Sequence, residues 1–366
     1  MASAVSSTEA QYNVSRVVQR DSKPAICSQK ASVTTNLIDV TEKLSTKNNL
    51  PCRIMFKNEF EQPSGSFKLR GIGHLVQRSI MEALSMGKTR MHVYASSGGN
   101  AGLAAAYSAR FYGVGCTVVV PVIAKKSVVD KLREYSATVI LHGQSINDAD
   151  QHARSLMALH DKSVHTIYCH PFDNPLIWEG HSQIIQEVFD QLPEAEHKNV
   201  RGVVCSVGGG GLYNGLMSGL KSQGSLADCL LLETKQAPTL TAAVNAGSVV
   251  RLDSVKSLAT SLACSYVSPE TLALYQDQTT NKSYLHTIDD LEAVKGTVSY
   301  YNQFGTIVEP ACGAALSAVY NRLDLLKQSM PHLQKNDIIV VVVCGGWCSD
   351  EQSMAEFKTM LRSSRL

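Results

Sequence analysis

Short apolar runs alternate along this chain with longer segments in which apolar positions recur at helical spacing. The run Ile338–Val343 is continuous in Val and Ile, which is typical of a strand buried on both faces. We predict strands at Arg53–Lys57, His92–Ala95, Cys116–Val120, Thr138–Leu141, Gly202–Ser206, Cys229–Glu233 and Asp337–Cys344. We predict helices at Phe67–Ser85, Asn100–Tyr112, Ser127–Tyr135, Ser145–Leu159, Trp178–Leu192, Gly211–Ser222 and Ala311–Gln328. Strands that alternate with helices in this way indicate α/β sheets with mostly parallel strands.

Composition narrows the class of protein. The 366 residues are enough for about two domains, and 44% hydrophobic residues indicate an ordinary globular chain. With 34 basic and 32 acidic residues and no basic run, we expect neither a nucleic-acid partner nor a membrane surface. Ten cysteines without regular spacing indicate reduced thiols in a cytoplasmic protein. The first 25 or so residues lack the apolar core of a signal peptide, so we expect an unstructured tail there.

One lysine and a glycine-rich turn carry the first chemical signal. Lys68 follows the turn-forming segment Pro63-Ser64-Gly65-Ser66-Phe67, and lysine is the side chain that forms Schiff bases with carbonyls. Gly208-Gly209-Gly210-Gly211-Leu212 joins a predicted strand to a predicted helix, where backbone N–H groups and the helix dipole favour an anion. No Walker lysine follows, so a monophosphate fits better than a nucleotide. A flexible strand-to-helix turn is the alternative.

A second loop, Ser96–Gly102, combines hydroxyl groups, exposed N–H groups and the start of a helix. This combination predicts a nest for a carboxylate. Asn100 can donate or accept a hydrogen bond, although asparagine at such a position often does no more than cap the helix. Cys344 ends the most hydrophobic strand and precedes two glycines; a buried core cysteine is the alternative there.

Lysine, asparagine loop and tetraglycine loop, in that order, resemble the fold-type-II pyridoxal-phosphate (PLP) enzymes. Asp173-Asn174-Pro175-Leu176-Ile177-Trp178-Glu179-Gly180-His181 and Val308-Glu309-Pro310-Ala311-Cys312-Gly313-Ala314-Ala315-Leu316 resemble the eukaryotic L-serine/L-threonine dehydratase branch, also called ammonia-lyases. The resemblance covers the chain from about residue 30 to the C-terminus. It implies a tryptophan synthase β-like fold with two open, mostly parallel α/β domains and the cofactor in the cleft. We expect a disordered tail over 1–28, a large PLP-binding domain at 29–66 plus 168–366, and a small domain at 67–167.

The resemblance also implies roles for individual residues. Lys68 is the expected Schiff-base and catalytic lysine, Phe67 and Ser261 cover the two faces of the cofactor ring, and Cys344 lies beside its nitrogen. The expected cofactor-binding residues are Phe67, Lys68, Asn100, Gly208, Gly209, Gly210, Gly211, Leu212, Ser261 and Cys344. The expected substrate-binding residues, which grip the carboxylate, are Ser97, Gly98 and Asn100. A monovalent cation, with K+ as the candidate, is expected at Gly208, Glu233, Ala237, Leu262 and Cys264.

The implied reaction is β-elimination of L-serine or L-threonine to a 2-oxo acid and ammonia. The resemblance thus implies a small amino acid as the substrate, and it also implies a homodimer. Because a thiol rather than an aspartate stands at the ring nitrogen, an aminotransferase is disfavoured. Glu179 and His181 are interpreted as structural. Where the family carries smaller residues, Trp347-Cys348 follow Gly346 here, and we expect Trp347 to line the substrate pocket or to meet a partner subunit. Two rivals therefore stay open: a racemase or β-replacement enzyme of the same fold, and a PLP-binding protein without catalysis.

Overall fold

The structure is a computed structural model that describes residues 16–17, 26, 28–45 and 49–364. The strands, in chain order, are β1 (Arg16–Val17), β2 (Leu37–Asp39), β3 (Arg53–Lys57), β4 (Arg90–Ala95), β5 (Gly115–Val120), β6 (Thr138–Leu141), β7 (Val164–Tyr168), β8 (Val200–Ser206), β9 (Asp228–Thr234), β10 (Ser283–Ile288) and β11 (Ile338–Val342). Short 3-10 helices lie at Glu59–Glu61, Glu194–Asn199 and Thr260–Leu262.

The α-helices, again in chain order, are α1 (Thr41–Ser45), α2 (Lys68–Ser85), α3 (Asn100–Phe111), α4 (Lys126–Glu134), α5 (Ile146–Ala158), α6 (Pro175–Gln191), α7 (Gly211–Ser222), α8 (Thr239–Ala246), α9 (Pro269–Gln276), α10 (Asp290–Phe304), α11 (Pro310–Tyr320), α12 (Leu323–Ser329) and α13 (Glu351–Ser363). Local sequence explains several starts: Ser145 and Asp148 form a capping box before α5, and proline occupies the first turn of α6, α9 and α11.

The described chain divides into two compact units. Unit 1 comprises the described residues up to Val33 and Lys68–Pro171, and unit 2 comprises Thr34–Phe67 and the described residues from Phe172 onward. Residues 29–33 and 168–171, which the sequence grouped with the larger domain, therefore lie in unit 1, and Phe67, which it grouped with the smaller domain, lies in unit 2. The tail expected over 1–28 falls mostly outside the described residues, although Arg16–Val17 form a strand that pairs antiparallel with β4.

Unit 1 is built on a sheet whose parallel strands follow the order β7-β4-β5-β6. Strand β5 contributes Cys116–Val120 entirely buried, as expected for a strand covered on both faces. Helix α5 packs Ala149, Ala153 and Leu156 against Tyr94 and Val119 of the sheet. The carboxyl ends of these parallel strands meet at one edge, where the loops after β4 and β7 lie.

Unit 2 is built on a six-stranded sheet in the order β10-β9-β8-β11-β3-β2. All of its pairings are parallel except that of β2 with β3. The central strand β11 is buried along its whole length, which accounts for its unbroken Val/Ile sequence. The expected fold class, two open and mostly parallel α/β layers, is therefore confirmed. Among the helices that the structure describes, none has the length and apolar character needed to cross a bilayer.

The sequence prediction failed at several elements of weak pattern. Strands β1, β2, β7 and β10 and helices α1, α8, α9, α10 and α13 are absent from the predicted elements. The single helix expected over Ala311–Gln328 is wrong: α11 ends at Tyr320 and α12 begins at Leu323. The backbone leaves the helical conformation at Asn321 and Arg322, where φ is −138° and −131°, and the Arg322 guanidinium pairs with Glu292 and Asp324 at 3.0 Å each.

Candidate active site

The tetraglycine loop lies in unit 2, where β8 runs into α7. Gly210 is the residue that precedes the helix, with φ +91° and ψ −9°, a left-handed conformation that favours glycine. Helix α7 then starts at Gly211, so the N–H groups of its first turn have no partner within the helix. A helix N-terminus that follows a parallel strand in this way fits a phosphate group, because its N–H groups and dipole favour an anion.

The tetraglycine loop packs closely against Phe172 and Thr271. A Cβ atom built on Gly210 would lie 1.9 Å from Thr271 Oγ1, and one on Gly209 would lie 2.3 Å from the Phe172 ring. The Gly209 carbonyl accepts a hydrogen bond of 3.0 Å from the N–H of Ser268. The loop is therefore closely packed against its surroundings, and the choice between a phosphate-binding loop and a simple strand-to-helix turn stays a prediction. Its glycines are required by close packing on the side that faces the protein.

Cys344 follows β11 and is buried beside two other polar groups of unit 2. Its thiol contacts Cys312, and its Sγ lies 4.0 Å from the hydroxyl of Ser206. The hydrogen bond with Cys312 and complete burial together raise the pKa of the Cys344 thiol well above its usual value. The thiol therefore stays protonated at neutral pH and presents a neutral, weak hydrogen-bonding group at the end of the strand.

Glu309 is a residue that the residue-level prediction missed, although its motif was noted. Its buried carboxylate accepts hydrogen bonds from the Ser261 hydroxyl and, at 2.8 Å, from the backbone N–H of Cys348. A Cβ atom on Gly346 would lie 2.1 Å from Glu309 Cδ. One carboxylate thus joins the loop that carries Ser261 to the loop that follows Cys344. The signal available in the sequence was the Val308-Glu309-Pro310 motif, which places a glutamate directly before an apolar helical segment.

The segment before Lys68 pairs with the loop after β11. The N–H of Phe67 donates to the Cys344 carbonyl at 3.2 Å, and Ser66 forms an isolated bridge with Gly345. Phe67, expected on a cofactor face, has its ring 5.0 Å from the buried His181 ring. The burial of His181 agrees with a structural role, whereas Glu179 is exposed.

Trp347 lies against this same segment. A Cβ atom on Gly65 would lie 2.4 Å from Cδ1 of the indole, and 42% of the Trp347 surface is exposed. The side chain therefore packs on the turn that precedes Phe67 while keeping one face open to solvent. Its role in the substrate pocket or at a subunit contact stays a prediction.

The residues expected to hold a cation lie around the N-terminus of α8. The buried Glu233 carboxylate accepts from the N–H groups of Leu240 at 2.6 Å and Thr241 at 2.9 Å. The Thr239 hydroxyl reaches the Cys264 carbonyl at 3.5 Å. Burial raises the pKa of Glu233 to about 7, against the lowering effect of these hydrogen bonds.

The other three members of this set, Gly208, Ala237 and Leu262, are also buried in unit 2. Ala237 donates its N–H to the Thr234 carbonyl at 2.9 Å, and Gly208 packs on the backbone of Leu262. The ability of the five residues to bind a cation remains a prediction.

Lys68 lies in unit 1, as the first residue of α2, and is half-buried. Its Nζ donates a hydrogen bond of 2.5 Å to the carbonyl of Pro171. The neighbouring His170 has its pKa lowered to about 4, mainly by burial and then by the positive charge of Lys68. His170 is therefore neutral near pH 7, so it adds no positive charge in the neighbourhood of the Lys68 amine.

The asparagine loop lies between β4 and α3, also in unit 1. The residue that caps α3 is Gly99, and Asn100 is the first helical residue, so Asn100 does not serve as a simple helix cap. Gly102 contacts the Ser97 carbonyl so closely that a Cβ atom would lie 1.9 Å from it. Gly98 packs beside Ala124. The turn therefore holds the N–H groups of this loop at the helix N-terminus, an arrangement that suits a carboxylate.

Side chains that the sequence did not single out support this loop. The Ser96 hydroxyl lies 2.9 Å from the Tyr168 hydroxyl and 3.3 Å from Asp150 Oδ1. Tyr168 donates to Asp150, and Arg154 Nε donates to the other carboxylate oxygen at 2.9 Å. The Arg154 guanidinium also stacks on the Tyr168 ring, 4.1 Å from its centroid. We call these four residues, Ser96, Asp150, Arg154 and Tyr168, the Tyr168 brace.

The curated proteins that resemble this chain include several that are named L-serine dehydratase. The chain is 39% identical over 322 residues to the "L-serine dehydratase" of Saccharomyces cerevisiae (strain RM11-1a), covering 84% of this chain and 92% of the relative. It is 37% identical to the "L-serine dehydratase/L-threonine deaminase" of Homo sapiens, covering 80% and 85% of the two chains.

Solved structures agree with these relatives. A fungal L-serine ammonia-lyase from Rhizomucor miehei matches with a TM-score of 0.79 and 30% identity, over 90% of this chain and 99% of that chain. A maize serine racemase matches with a TM-score of 0.75, over 96% and 100% of the chains, but at 20% identity it shows the fold alone. Residues 34–345 match the family described as "Pyridoxal-phosphate dependent enzyme". The protein therefore belongs to the pyridoxal-phosphate dependent enzyme family.

Proposed function

We propose that this protein is a PLP-dependent lyase that eliminates the β-hydroxyl of L-serine or L-threonine and releases a 2-oxo acid and ammonia. The observation that carries the proposal is the tetraglycine turn at the start of α7, whose N–H groups fit a phosphate. The relatives named L-serine dehydratase and L-serine/threonine dehydratase support the choice of reaction. Lys68 is the residue that we assign to the Schiff base with the cofactor.

The protein's own groups each have a task in this proposal. When bound, PLP supplies an electron sink that stabilises negative charge at the substrate's α-carbon. Lys68 then removes the α-proton, and its hydrogen bond to the Pro171 carbonyl gives the free amine a defined position. The uncharged His170 beside it adds no positive charge that would compete for the substrate carboxylate.

The remaining site residues bind and orient. Ser97, Gly98 and Asn100 hold the substrate carboxylate at the N-terminus of α3, and Asn100 also reaches the cofactor ring. Gly208 to Leu212 hold the phosphate, Phe67 and Ser261 cover the ring, and the neutral Cys344 thiol faces its nitrogen. A neutral partner leaves that nitrogen unprotonated, which favours elimination over transamination.

Three further assignments belong to the proposal. Gly208, Glu233, Ala237, Leu262 and Cys264 bind a monovalent cation such as K+. The enzyme works as a homodimer, with the exposed face of Trp347 as one point where a subunit contact can be tested. A cytoplasmic location is supported by the cysteines of the described chain, all of which are free thiols.

Product analysis tests the proposed reaction. Purified protein loaded with PLP is incubated with L-serine and L-threonine, and 2-oxo acid, ammonia, D-amino acid and thioether products are measured with and without an added thiol. The proposal expects stoichiometric 2-oxo acid and ammonia, with little change when thiol is present. D-Serine as the main product would favour a racemase, and a thioether would favour β-replacement. A loaded protein that converts no L- or D-amino acid would favour a binding protein without catalysis.

A further inference from the structure

The Tyr168 brace places an ion pair directly behind the loop to which the substrate carboxylate is assigned. Asp150 Oδ1 lies 3.3 Å from the Ser96 hydroxyl, and Ser96 immediately precedes Ser97. Strand β4 ends at Ala95 and β7 ends at Tyr168. Ser96 and Tyr168 therefore lie at the carboxyl edge of the sheet, where ligands of α/β proteins bind. An acidic side chain at this edge is unfavourable for an anionic ligand unless its charge is offset.

Arg154 supplies that offset through two contacts. Its Nε donates to Asp150 Oδ2 at 2.9 Å, and its guanidinium stacks on the Tyr168 ring at 4.1 Å. The stacking and the hydrogen bond hold a planar guanidinium in one orientation, which a lysine could not reproduce. Tyr168 in turn donates its hydroxyl to Asp150, so the carboxylate accepts from three side chains, those of Arg154, Tyr168 and Ser96.

The charges of this pair also act on a residue close to Lys68. Lys68, Asp150 and Arg154 all act on the pKa of His170, the residue next to the Pro171 carbonyl that Lys68 contacts. Lys68 and the two charges of the brace thus influence the same imidazole. Since Asp150 and Arg154 are half-exposed, at 33% and 53% of their side-chain surface, solvent screens them and the expected effects are moderate.

We propose that Arg154 is a positioning and charge-balancing residue for substrate binding, which cancels the negative charge of Asp150 at the asparagine loop. This inference rests on the proposed function, because it takes Ser97, Gly98 and Asn100 as the carboxylate site. Arg154 itself does not touch the reacting atoms. Its removal leaves Asp150 uncompensated beside that site, and the simultaneous removal of both charges restores the balance.

A double-mutant cycle tests this proposal without relying on turnover. Wild type, Arg154→Gln, Asp150→Asn and the double variant are loaded with PLP, and L-alanine is titrated while the cofactor absorbance is followed. L-Alanine carries the amine and carboxylate of the substrate without a β-hydroxyl. We expect Arg154→Gln to raise the dissociation constant about threefold to tenfold at low salt, and less at high salt. The double variant should return to within about twofold of wild type.

Arg133→Gln is the matched control, because it removes the same charge from an exposed pair with Asp130 on α4. It should leave the L-alanine dissociation constant unchanged. Urea unfolding of each variant separates loss of binding from loss of fold. An unchanged constant in Arg154→Gln, or a double variant as weak as the single one, would overturn the inference. An elimination assay on wild type is read separately, so an inactive wild type that still binds L-alanine would contradict the proposed function and leave the charge balance to be judged by the cycle.

Discussion

The two loops assigned to the site are held in place by different physical means. In unit 2 the tetraglycine turn is fixed by contact: Phe172 and Thr271 occupy the space that side chains would need. In unit 1 the asparagine loop has one close contact of its own, between Gly102 and the Ser97 carbonyl, but it is also held by side-chain hydrogen bonds that run from Ser96 to Tyr168 and Asp150. Contact allows almost no substitution, because close-packed atoms cannot give way. Hydrogen-bonded side chains can be altered in steps, so their loss should have graded effects.

The two kinds of support suit the different ligands that we assign to the two loops. A turn that binds a cofactor phosphate needs its N–H groups in one fixed geometry, and backbone contact provides that. A loop that binds a substrate carboxylate must discriminate among charges, and the Asp150–Arg154 pair provides a charge that can be tuned. We therefore expect mutations in the first loop to act on cofactor retention and folding, and mutations behind the second to act on substrate affinity.

The largest effect is expected for Gly210→Val. The new side chain would have to adopt φ +91° and would collide with Thr271, so we expect a loss of about 3–5 kcal/mol in the free energy of unfolding and loss of PLP retention. Gly224→Ala is the control, since Gly224 has φ +60° but open space around its Cβ position; it should cost about 1 kcal/mol. If urea unfolding gives equal losses for the two variants, contact does not hold the tetraglycine turn.

Glu233 provides a test of electrostatics in unit 2. Its pKa is raised by burial to about 7 from a usual value of 4.5, so the folded state binds the proton more tightly than the unfolded chain. Stability contributed by this group is therefore complete below about pH 4.5 and is lost as the pH rises toward 7, by up to about 3 kcal/mol. The free energy of unfolding of wild type, measured against Glu233→Gln, should fall across this window.

The same measurement examines the proposed cation. A bound K+ favours the ionised carboxylate, so K+ should flatten the fall relative to a bulky quaternary ammonium salt at the same ionic strength. Identical curves in both salts would argue against a cation next to Glu233. Parallel curves for wild type and Glu233→Gln would contradict the raised pKa itself.

Glu309→Ala should have an intermediate effect. It removes the acceptor of the Ser261 hydroxyl and of the Cys348 N–H, and hydrogen bonds to a buried carboxylate contribute about 1.5–3 kcal/mol. We expect weaker PLP binding to the apoprotein and a red shift of Trp347 emission, measured in a Trp178→Phe background. Asp337→Asn is the control: Asp337 is also buried and accepts from the Gln334 N–H, but at the opposite end of β11. Equal changes in PLP affinity in both variants would show that Glu309 only supports the fold.

The fold class could be predicted from the sequence, whereas several individual strands could not. The alternation of apolar runs and helical periods was sufficient for the fold class, because buried parallel strands such as β8 and β11 carry continuous Val/Ile patterns. Strand β10 was missed because Ser283–Ile288 mixes polar and apolar residues without regular alternation; it lies at an edge of the sheet, and most of its side chains are only half-buried. Strand β7 was missed for a similar reason, and with it the position of Tyr168.

In the candidate site, too, only the residues that belong to a local motif could be predicted. Lys68 and the tetraglycine loop lie in short, recognisable motifs, so both could be selected from the sequence. Glu309 and Asp150 accept hydrogen bonds from residues 48 and 54 positions away in the chain, Ser261 and Ser96, and only the fold brings such pairs together. The packing of the Trp347 indole on Gly65 was equally hidden, since 282 positions separate the two residues.

The smallest effect is expected for Tyr168→Phe. The substitution removes one hydroxyl from the Tyr168 brace and keeps the ring under Arg154, so the cost should be about 1 kcal/mol or less in substrate affinity. Tyr94→Phe is the control, because the Tyr94 hydroxyl pairs with His160 at 2.8 Å in the same unit without touching Ser96. In titrations, the affinity for L-alanine should fall in Tyr168→Phe and stay unchanged in Tyr94→Phe. A similar weakening in both would mean that the sheet, rather than the brace, supports the asparagine loop.

The central claim is that Lys68 holds PLP and carries out the elimination, and one comparison tests it most directly. Wild type and Lys68→Ala, both reconstituted with PLP, are compared by absorbance between 300 and 500 nm (roughly the range of the lysine–PLP imine) and by 2-oxo acid release from L-serine. Wild type should show the visible imine band and release the 2-oxo acid, whereas Lys68→Ala should show neither while unfolding in urea as wild type does. Normal turnover by Lys68→Ala without added amine would contradict the account.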